Sequence, residues 1–313
     1  MINKIGVIGA GTMGHGIAEH FALHGYSVSV YEARKETLDT VRDVIKSELE
    51  FMAGENFIDK GDIQRTLDNI DLYDDMAECV KDCDYIIEAT FEDMELKQDL
   101  FAQLEKCTKD SAIIASNTSS LPLGEMIKNV SPAKQAKIMV NHWYNPPHLI
   151  PLIEMSFFGN MSEEDFVQVW DMYVAVKKRP IRVLKDIPGL IANRIQQGVA
   201  REVFSLIEMG AASPEDIDNA LKFGPAFRYA TTGQLEVADM GGIDIWATVG
   251  DNLLAVMDNS TCASKLLKDK VSEGKLGLKT GEGFFAYEGG KKEEVQKAFH
   301  KRLITQLKTS ENY

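Results

Sequence analysis

The feature that most constrains this chain lies in its first fourteen residues, where a glycine turn follows one short apolar run and opens a helix. Lys4-Ile5-Gly6-Val7-Ile8 has the character of a buried parallel strand, and Met13, Ile17, Phe21 and Ala22 recur behind it at helical spacing. Between them, Gly9-Ala10-Gly11-Thr12-Met13-Gly14 fits G-x-G-x-x-G. Gly25 ends the helix, and Ser27 to Tyr31 returns to strand character. A strand, glycine turn, helix and second strand in that order form a βαβ unit. In such a unit Gly9 permits the tight turn, Gly11 lets a pyrophosphate approach the backbone, and Gly14 allows close helix–strand contact. The helix N-terminus supplies unpaired N–H groups to the same anion.

The second strand ends at Glu32, 18 residues past Gly14. A carboxylate there accepts hydrogen bonds from an adenosine ribose and repels a 2'-phosphate, so NAD is favoured over NADP. Arg34 and Lys35 keep the other cofactor open, because a basic pair beyond the carboxylate can hold that phosphate.

Further strands are expected at Asp84 to Ala89, Ala112 to Ser116, Ala136 to Val140, Leu149 to Met155 and Pro180 to Leu184, completing a sheet of about eight. Alternation with helices implies a parallel, doubly wound sheet. A polar, helix-rich insertion from about Glu36 to Leu72, broken at Gly54 and restarted after Asp59, reads as a projecting helical hairpin. From Leu190 onward the patterns are helical, with Ser213-Pro214-Glu215-Asp216 as a clear N-terminal cap. The fold class is therefore α/β, an N-terminal Rossmann sheet of residues 1–187 with a hairpin insertion, plus an all-α domain of 188–313.

Composition removes several alternatives. No stretch approaches the ~18 apolar residues of a membrane helix, and the first residues lack a secretory signal pattern. A net charge of -14 makes a nucleic-acid binder improbable. Four cysteines without a CxxC pair suit reduced thiols, so a soluble cytoplasmic protein is expected.

Two later segments carry candidate chemistry. His142-Trp143-Tyr144-Asn145-Pro146-Pro147 follows a strand, in the crevice region where open α/β sheets bind ligands. Twelve residues on, Glu154 lies in an apolar strand where a carboxylate needs a partner. A His142–Glu154 dyad meets that need and makes an acid or base of the imidazole; from spacing alone, an unrelated edge-strand glutamate is an equal alternative. Ser116-Asn117-Thr118-Ser119-Ser120 also ends a strand. Its polar side chains suit contact with nicotinamide or a substrate oxygen, although a plain Ser/Thr turn is the better reading of the pattern alone.

Together these segments resemble the 3-hydroxyacyl-CoA dehydrogenase family over essentially the whole chain. The resemblance rests on the glycine turn with Gly16-Ile17-Ala18, Ile87-Glu88-Ala89 with Glu92 and Lys97, Ala115 to Ser120, His142 with Asn145-Pro146, Glu154, Pro188-Gly189 with Asn193-Arg194, and Lys279 to Phe284. It implies that His142 is the general base, Glu154 its orienting partner, and Ser119 and Asn193 donors to substrate oxygens. It likewise implies that Glu92, Lys97, Asn145 and Lys279 lie on the nicotinamide side of the cofactor pocket, with Asn117 beside them and Glu32 on the ribose. A homodimer through the helical domain and a small-molecule substrate follow from the same likeness. For Lys97 and Lys279 the sequence by itself reads as solvated lysine.

Two stretches depart from the CoA-using pattern. Where a serine and lysines are expected to grip CoA phosphates, the hairpin reads Ser47-Glu48-Leu49-Glu50-Phe51-Met52-Ala53-Gly54-Glu55, flanked by Lys46 and Lys60. Glutamates there oppose a polyphosphate. Phe223 to Ala230 carries Arg228 in a turn that looks more like the L-gulonate and carnitine dehydrogenase branches, and a guanidinium suits a substrate carboxylate; otherwise Arg228 is a surface residue ending a loop. His148 with Ile150-Pro151 looks like those branches and a related pyridine-carboxylate dehydrogenase. The leading expectation is a short L-3-hydroxyacyl-CoA such as 3-hydroxybutyryl-CoA, with a free 3-hydroxy carboxylate as the alternative. A third reading, a non-catalytic NAD-binding protein like the lens crystallins of this family, predicts loss of a dyad whose residues are all present.

Overall fold

The structure is a computed structural model and describes residues 2–287, 289 and 291–311. The chain divides into two compact units, Met1–Ile191 and Ala192–Tyr313.

The first unit is built on eight strands: β1 (Lys4–Ile8), β2 (Ser27–Tyr31), β3 (Ile70–Tyr73), β4 (Tyr85–Glu88), β5 (Ile113–Ser116), β6 (Ile138–Trp143), β7 (Leu152–Ser156) and β8 (Arg179–Val183), in spatial order β3-β2-β1-β4-β5-β6-β7-β8. Its helices are α1 (Gly14–Leu23), α2 (Lys35–Gly54), α3 (Lys60–Asp68), α4 (Met76–Val80), α5 (Met94–Cys107), α6 (Leu123–Met126), α7 (Pro132–Gln135) and α8 (Glu163–Ala175). Strand order reverses between β1 and β4, so the crevice of the sheet opens beyond their carboxyl ends. The glycine turn leaves β1 at that point. β1, β4 and β5 are buried almost throughout, the continuous apolar run of a sheet covered on both faces.

Three expectations need correction. The sheet is not wholly parallel, because β7 runs antiparallel to β6 and β8 then follows β7. The link over residues 144–151 is too short for the crossover a parallel pair demands, so the chain turns straight back. Second, the insertion ends in a strand, β3, which pairs with β2 from Val28↔Ile70 to Tyr31↔Tyr73. Arg42 of α2 helps fix it by donating to the carbonyls of Leu67 and Ile70, each at 2.8 Å. Third, the α2–α3 hairpin does not project. Val41, Ile45, Leu49, Met52 and Ala53 form a buried stripe at helical spacing, and both helices pack beside α1. Met52 is thus core.

β6 sends alternate residues to opposite faces of the sheet. Asn141 and Trp143 share one face with a buried polar network, in which Asn141 Nδ2 donates to Tyr85 Oη at 2.8 Å and Trp143 Nε1 donates to Tyr173 Oη at 3.2 Å. The two tyrosine hydroxyls are 2.7 Å apart, and Tyr173 lies on α8. His142 faces the other way.

The second unit is helical: α9 (Ala192–Glu208), α10 (Pro214–Phe223), α11 (Pro225–Tyr229), α12 (Gln234–Gly241), α13 (Ile243–Leu253), α14 (Lys265–Ser272) and α15 (Lys291–Ser310). Ser213 caps α10 as anticipated, accepting from the Asp216 amide. The expected turn at Phe223 to Ala230 is instead largely α11, because Pro225 sits at a first helical position. Ile217, Val237 and Ile304 are the buried hydrophobics of this unit among the described residues, while Ile195, Phe227, Ile243, Trp246 and Leu254 are exposed. No described helix is long and apolar enough to cross a membrane.

Tyr173→Phe removes the acceptor for Trp143 and a partner of Tyr85, so we expect a loss of about 1–3 kcal/mol in urea unfolding. A change below about 0.5 kcal/mol would show that the network does not hold β6.

Candidate active site

The glycine turn has the geometry a dinucleotide needs. Gly9 adopts φ 93°, and a Cβ there would stand 2.9 Å from the Ala89 carbonyl oxygen. A Cβ at Gly14 would overlap the Gly9 carbonyl oxygen at 1.7 Å. At Gly11 a Cβ would meet nothing within 4 Å, so that face of the turn is open for a pyrophosphate to approach. Ala10, Thr12 and Met13 complete the turn ahead of α1. Glu32 is buried and accepts from the Ala10 amide at 3.0 Å, which ties the end of β2 to the turn. Burial pushes its carboxyl up, but hydrogen bonds from the Arg34 amide and guanidinium and the Ala10 amide bring it below its ordinary value. Arg34 Nε lies 3.2 Å from Glu32, and Lys35 is paired with Asp39 at 2.9 Å. Both basic groups suspected of holding a 2'-phosphate are therefore engaged. The residues present fit NAD.

At the end of β4 the structure gives a role to Glu88, which in the sequence is only part of the family likeness. Glu88 is fully buried and its oxygens accept from Lys97 Nζ at 2.7 and 2.8 Å, from Ser116 Oγ at 2.6 Å and from the Thr90 amide and hydroxyl at 2.6 Å. Lys97 is accordingly buried rather than solvated, and its ammonium also stands 3.5 Å from Glu92. Glu92 Oε1 gathers the loop after β5, accepting from Thr118 Oγ1 at 2.6 Å, the Ser119 amide at 3.1 Å, and the Ser120 amide at 3.2 Å and hydroxyl at 3.0 Å. Burial raises the Glu92 carboxyl, yet the Thr118 bond and the Lys97 charge lead a larger opposing effect, and it ends below its ordinary value. Ser116 to Ser120 is thus more than a plain turn. Asn117 Oδ1 accepts from the Trp143 amide at 2.8 Å, joining β5 to β6. The signal that could have found Glu88 was present: a carboxylate in an apolar strand needs a partner, as Glu154 does.

His142 and Glu154 are directly opposite in the β6–β7 register. His142 Nδ1 lies 2.8 Å from Glu154 Oε2, and the Ile191 amide donates to Glu154 Oε1 at 2.8 Å. Glu154 has no exposed surface and His142 has 7%. Because an ionised carboxylate only accepts, Nδ1 carries the proton and Nε2 is left as the ring's acceptor. The even choice between dyad and unrelated glutamate is resolved by contact. Asn145 is exposed two residues past β6.

Asn193, Arg228 and Lys279 belong to the second unit. Asn193 is in the first turn of α9, Arg228 is exposed on α11, and Lys279 is exposed in the turn before the Glu282↔Ala286 bridge.

A doubly wound sheet, a dinucleotide turn and a buried imidazole–carboxylate pair define an NAD-dependent dehydrogenase acting on CH–OH groups. Residues 4–187 match the family described as "3-hydroxyacyl-CoA dehydrogenase, NAD binding domain", and residues 189–287 match "3-hydroxyacyl-CoA dehydrogenase, C-terminal domain". The chain belongs to the 3-hydroxyacyl-CoA dehydrogenase family. It is similar to 5-formyl-3-hydroxy-2-methylpyridine 4-carboxylate 5-dehydrogenase of Mesorhizobium japonicum, with 29% identity over 97% of each chain. It is also similar to a probable 3-hydroxybutyryl-CoA dehydrogenase of Deinococcus radiodurans, with 33% identity over 91% of this chain and 100% of the relative. Among solved structures, a 5-formyl-3-hydroxy-2-methylpyridine 4-carboxylic acid 5-dehydrogenase superposes with TM-score 0.90 and 27% identity, covering 99% of both chains. The (S)-3-hydroxybutyryl-CoA dehydrogenase of Ralstonia eutropha gives TM-score 0.74 and 29% identity over 92% of this chain and 100% of that one.

Removing Lys97 leaves a fully buried carboxylate short of its cation. Lys97→Met should cost about 3–5 kcal/mol in denaturant unfolding, and adding Glu88→Gln should recover much of it. Equal stability of Lys97→Met and wild type would dismiss the pair as a structural anchor.

Proposed function

We propose that this chain oxidises, reversibly, a small free hydroxy carboxylate with NAD, and that its substrate is not a CoA thioester. The observation that carries this reading is the charge of α2. Glu48 is turned towards His15 at 3.3 Å, Glu50 lies 3.9 Å from Lys46, and no lysine replaces them along that stretch of the helix. With Glu48 turned inward and Lys46 beside Glu50, this stretch offers no cluster of cations from which a polyphosphate would gain. The full-length likeness to a dehydrogenase named for a pyridine 4-carboxylate supports the same conclusion. A short 3-hydroxyacyl-CoA is the second reading, favoured by the similarity to the Deinococcus enzyme.

In this proposal His142 is the general base. Its Nε2 takes the hydroxyl proton while the carbinol carbon gives up a hydride, and Glu154 holds the ring and balances the imidazolium charge. NAD supplies the hydride acceptor when bound. Ser119, whose hydroxyl has no hydrogen bond among the described residues, and Asn193 are the proposed donors to the substrate oxygen, and Arg228 the partner of its carboxylate. Glu32 serves the ribose; Asn117, Asn145, Glu92 and Lys279 border the nicotinamide, with Lys97 acting through Glu92. We assign residues 1–187 to cofactor binding and 188–313 to substrate and assembly. Cytoplasmic residence belongs to the same proposal, supported by four free thiols.

NADH formation from a panel of free hydroxy acids and hydroxyacyl-CoA thioesters decides the substrate class. We expect turnover on free acids, a roughly 10²- to 10⁴-fold loss in His142→Gln, and selective loss on free acids in Arg228→Met. Turnover on the thioesters alone overturns the free-acid reading.

A unit with so few buried hydrophobics is incomplete as a lone body, so we also propose a homodimer through the helices of 188–313. Light scattering after gel filtration should give about twice the 34.8 kDa chain mass, and a monomer would reject it.

A further inference from the structure

One turn beyond His15 on α1, Glu19 is completely buried, and neither of its carboxylate oxygens meets a hydrogen-bond donor. An ionised carboxylate in that state is among the costliest groups a fold can bury. Two other side chains, from different segments, converge on it. Glu48 reaches across from α2 with an Oε2 that also lacks a donor, and His148, in the loop before β7, brings Nδ1 to 3.9 Å from that oxygen. One ligand atom from each of the three residues lies within 4.8 Å of the other two. The placement of His148 is close-fitting, since a Cβ on Gly16 would stand 3.3 Å from its Nδ1 and 2.7 Å from Pro147.

We propose that Glu19, Glu48 and His148 form a binding site for a divalent transition-metal cation of the Zn²⁺ or Mn²⁺ class, held by two carboxylate oxygens and one imidazole nitrogen. A divalent ion balances the two carboxylates in charge, and this mixed oxygen and nitrogen donor set suits such metals. Ligands on a tetrahedral ion are about 3.4 Å apart when its bonds are near 2.1 Å, so binding draws the three groups in by about an ångström. His15 supplies the outer support that metal ligands need: Nε2 lies 3.3 Å from Glu48 Oε1 and Nδ1 lies 2.8 Å from the Gly11 carbonyl oxygen. Burial pulls the His15 imidazole down, but the bond and charge of Glu48 and the Gly11 carbonyl raise it above its ordinary value.

A shared proton is the competing way to house the pair. Burial, followed by the charge of Glu48, raises the Glu19 carboxyl well above its ordinary value, and a protonated Glu19 can donate to Glu48. That proton serves one Glu19 oxygen and leaves the second without a donor. Glu48 is the more readily ionised ligand: burial works against it, yet the His15 bond and the charges of His148 and His15 bring it to about 2. Burial holds both His20 and Lys178 well below their ordinary values. Protons compete with a metal for carboxylate and imidazole ligands, so uptake strengthens as pH rises.

The test uses full-length protein without a histidine tag, equilibrated with ZnCl₂ or MnCl₂, freed of loose ions and assayed by mass spectrometry of the metal. We expect about one ion per chain, greater uptake at about pH 8 than at about pH 6, and a melting temperature several degrees higher that EDTA reverses. Glu19→Gln, nearly isosteric, should lose both the ion and the shift, with far-UV circular dichroism confirming its fold; His148→Gln should do the same. Cys262→Ser, which removes an exposed thiol, should retain them. Wild type that takes up no metal, or Glu19→Gln that retains the ion, overturns the site.

Discussion

Two strands running in opposite directions, β6 and β7, put His142 across from Glu154, so that a carboxylate with no exposed surface receives the imidazole on one oxygen and the Ile191 amide on the other. Much of the first unit serves that juxtaposition. The other residues of β6 anchor it from behind through Tyr85 and Tyr173, and Asn117 clasps its backbone from β5. Because a donor on each oxygen helps house the charge of Glu154, the pair cannot drift apart cheaply. The acceptor nitrogen of the ring is a consequence of that constraint rather than a separate device.

A second buried charge organises the opposite side of the crevice. Glu88 holds Lys97, and Lys97 stands beside Glu92, which collects the amides and hydroxyls of residues 118–120. A lysine that reads as solvated from the sequence by itself is instead enclosed, as the link between two carboxylates. The likeness to 3-hydroxyacyl-CoA dehydrogenases implies a nicotinamide-side place for Glu92 and Lys97 and a substrate-side place for Ser119; the geometry supplies a physical connection among the three. The hairpin differs from a CoA-gripping surface for an equally local reason, since Glu48 is turned inward to His15 and α1.

The strands at 4–8 and 27–31 were legible to the residue, because short apolar runs bounded by glycine and polar residues have few other uses. β3 was not legible, since Ile70-Asp71-Leu72-Tyr73 is short and only its pairing with β2 makes it a strand. α11 was hidden for a related reason: five residues starting at Pro225 carry a turn's composition and a helix's geometry. Likewise α2 reads as part of a polar, projecting hairpin, and nothing in its sequence said that its buried stripe would lie against α1.

By itself the sequence determined the dinucleotide turn, the acidic residue after β2, the strand–helix alternation and the identity of the two residues most suited to a proton-transfer pair. Those properties depend on neighbours along the chain, where steric freedom, periodicity and spacing act. Only the tertiary structure decided that residues 142 and 154 touch, that Lys97 is enclosed by Glu88, and that Glu19, Glu48 and His148 come from three separate segments to one point. Contacts of that kind depend on strand direction and on which helix faces meet, and neither is written in any single stretch of residues.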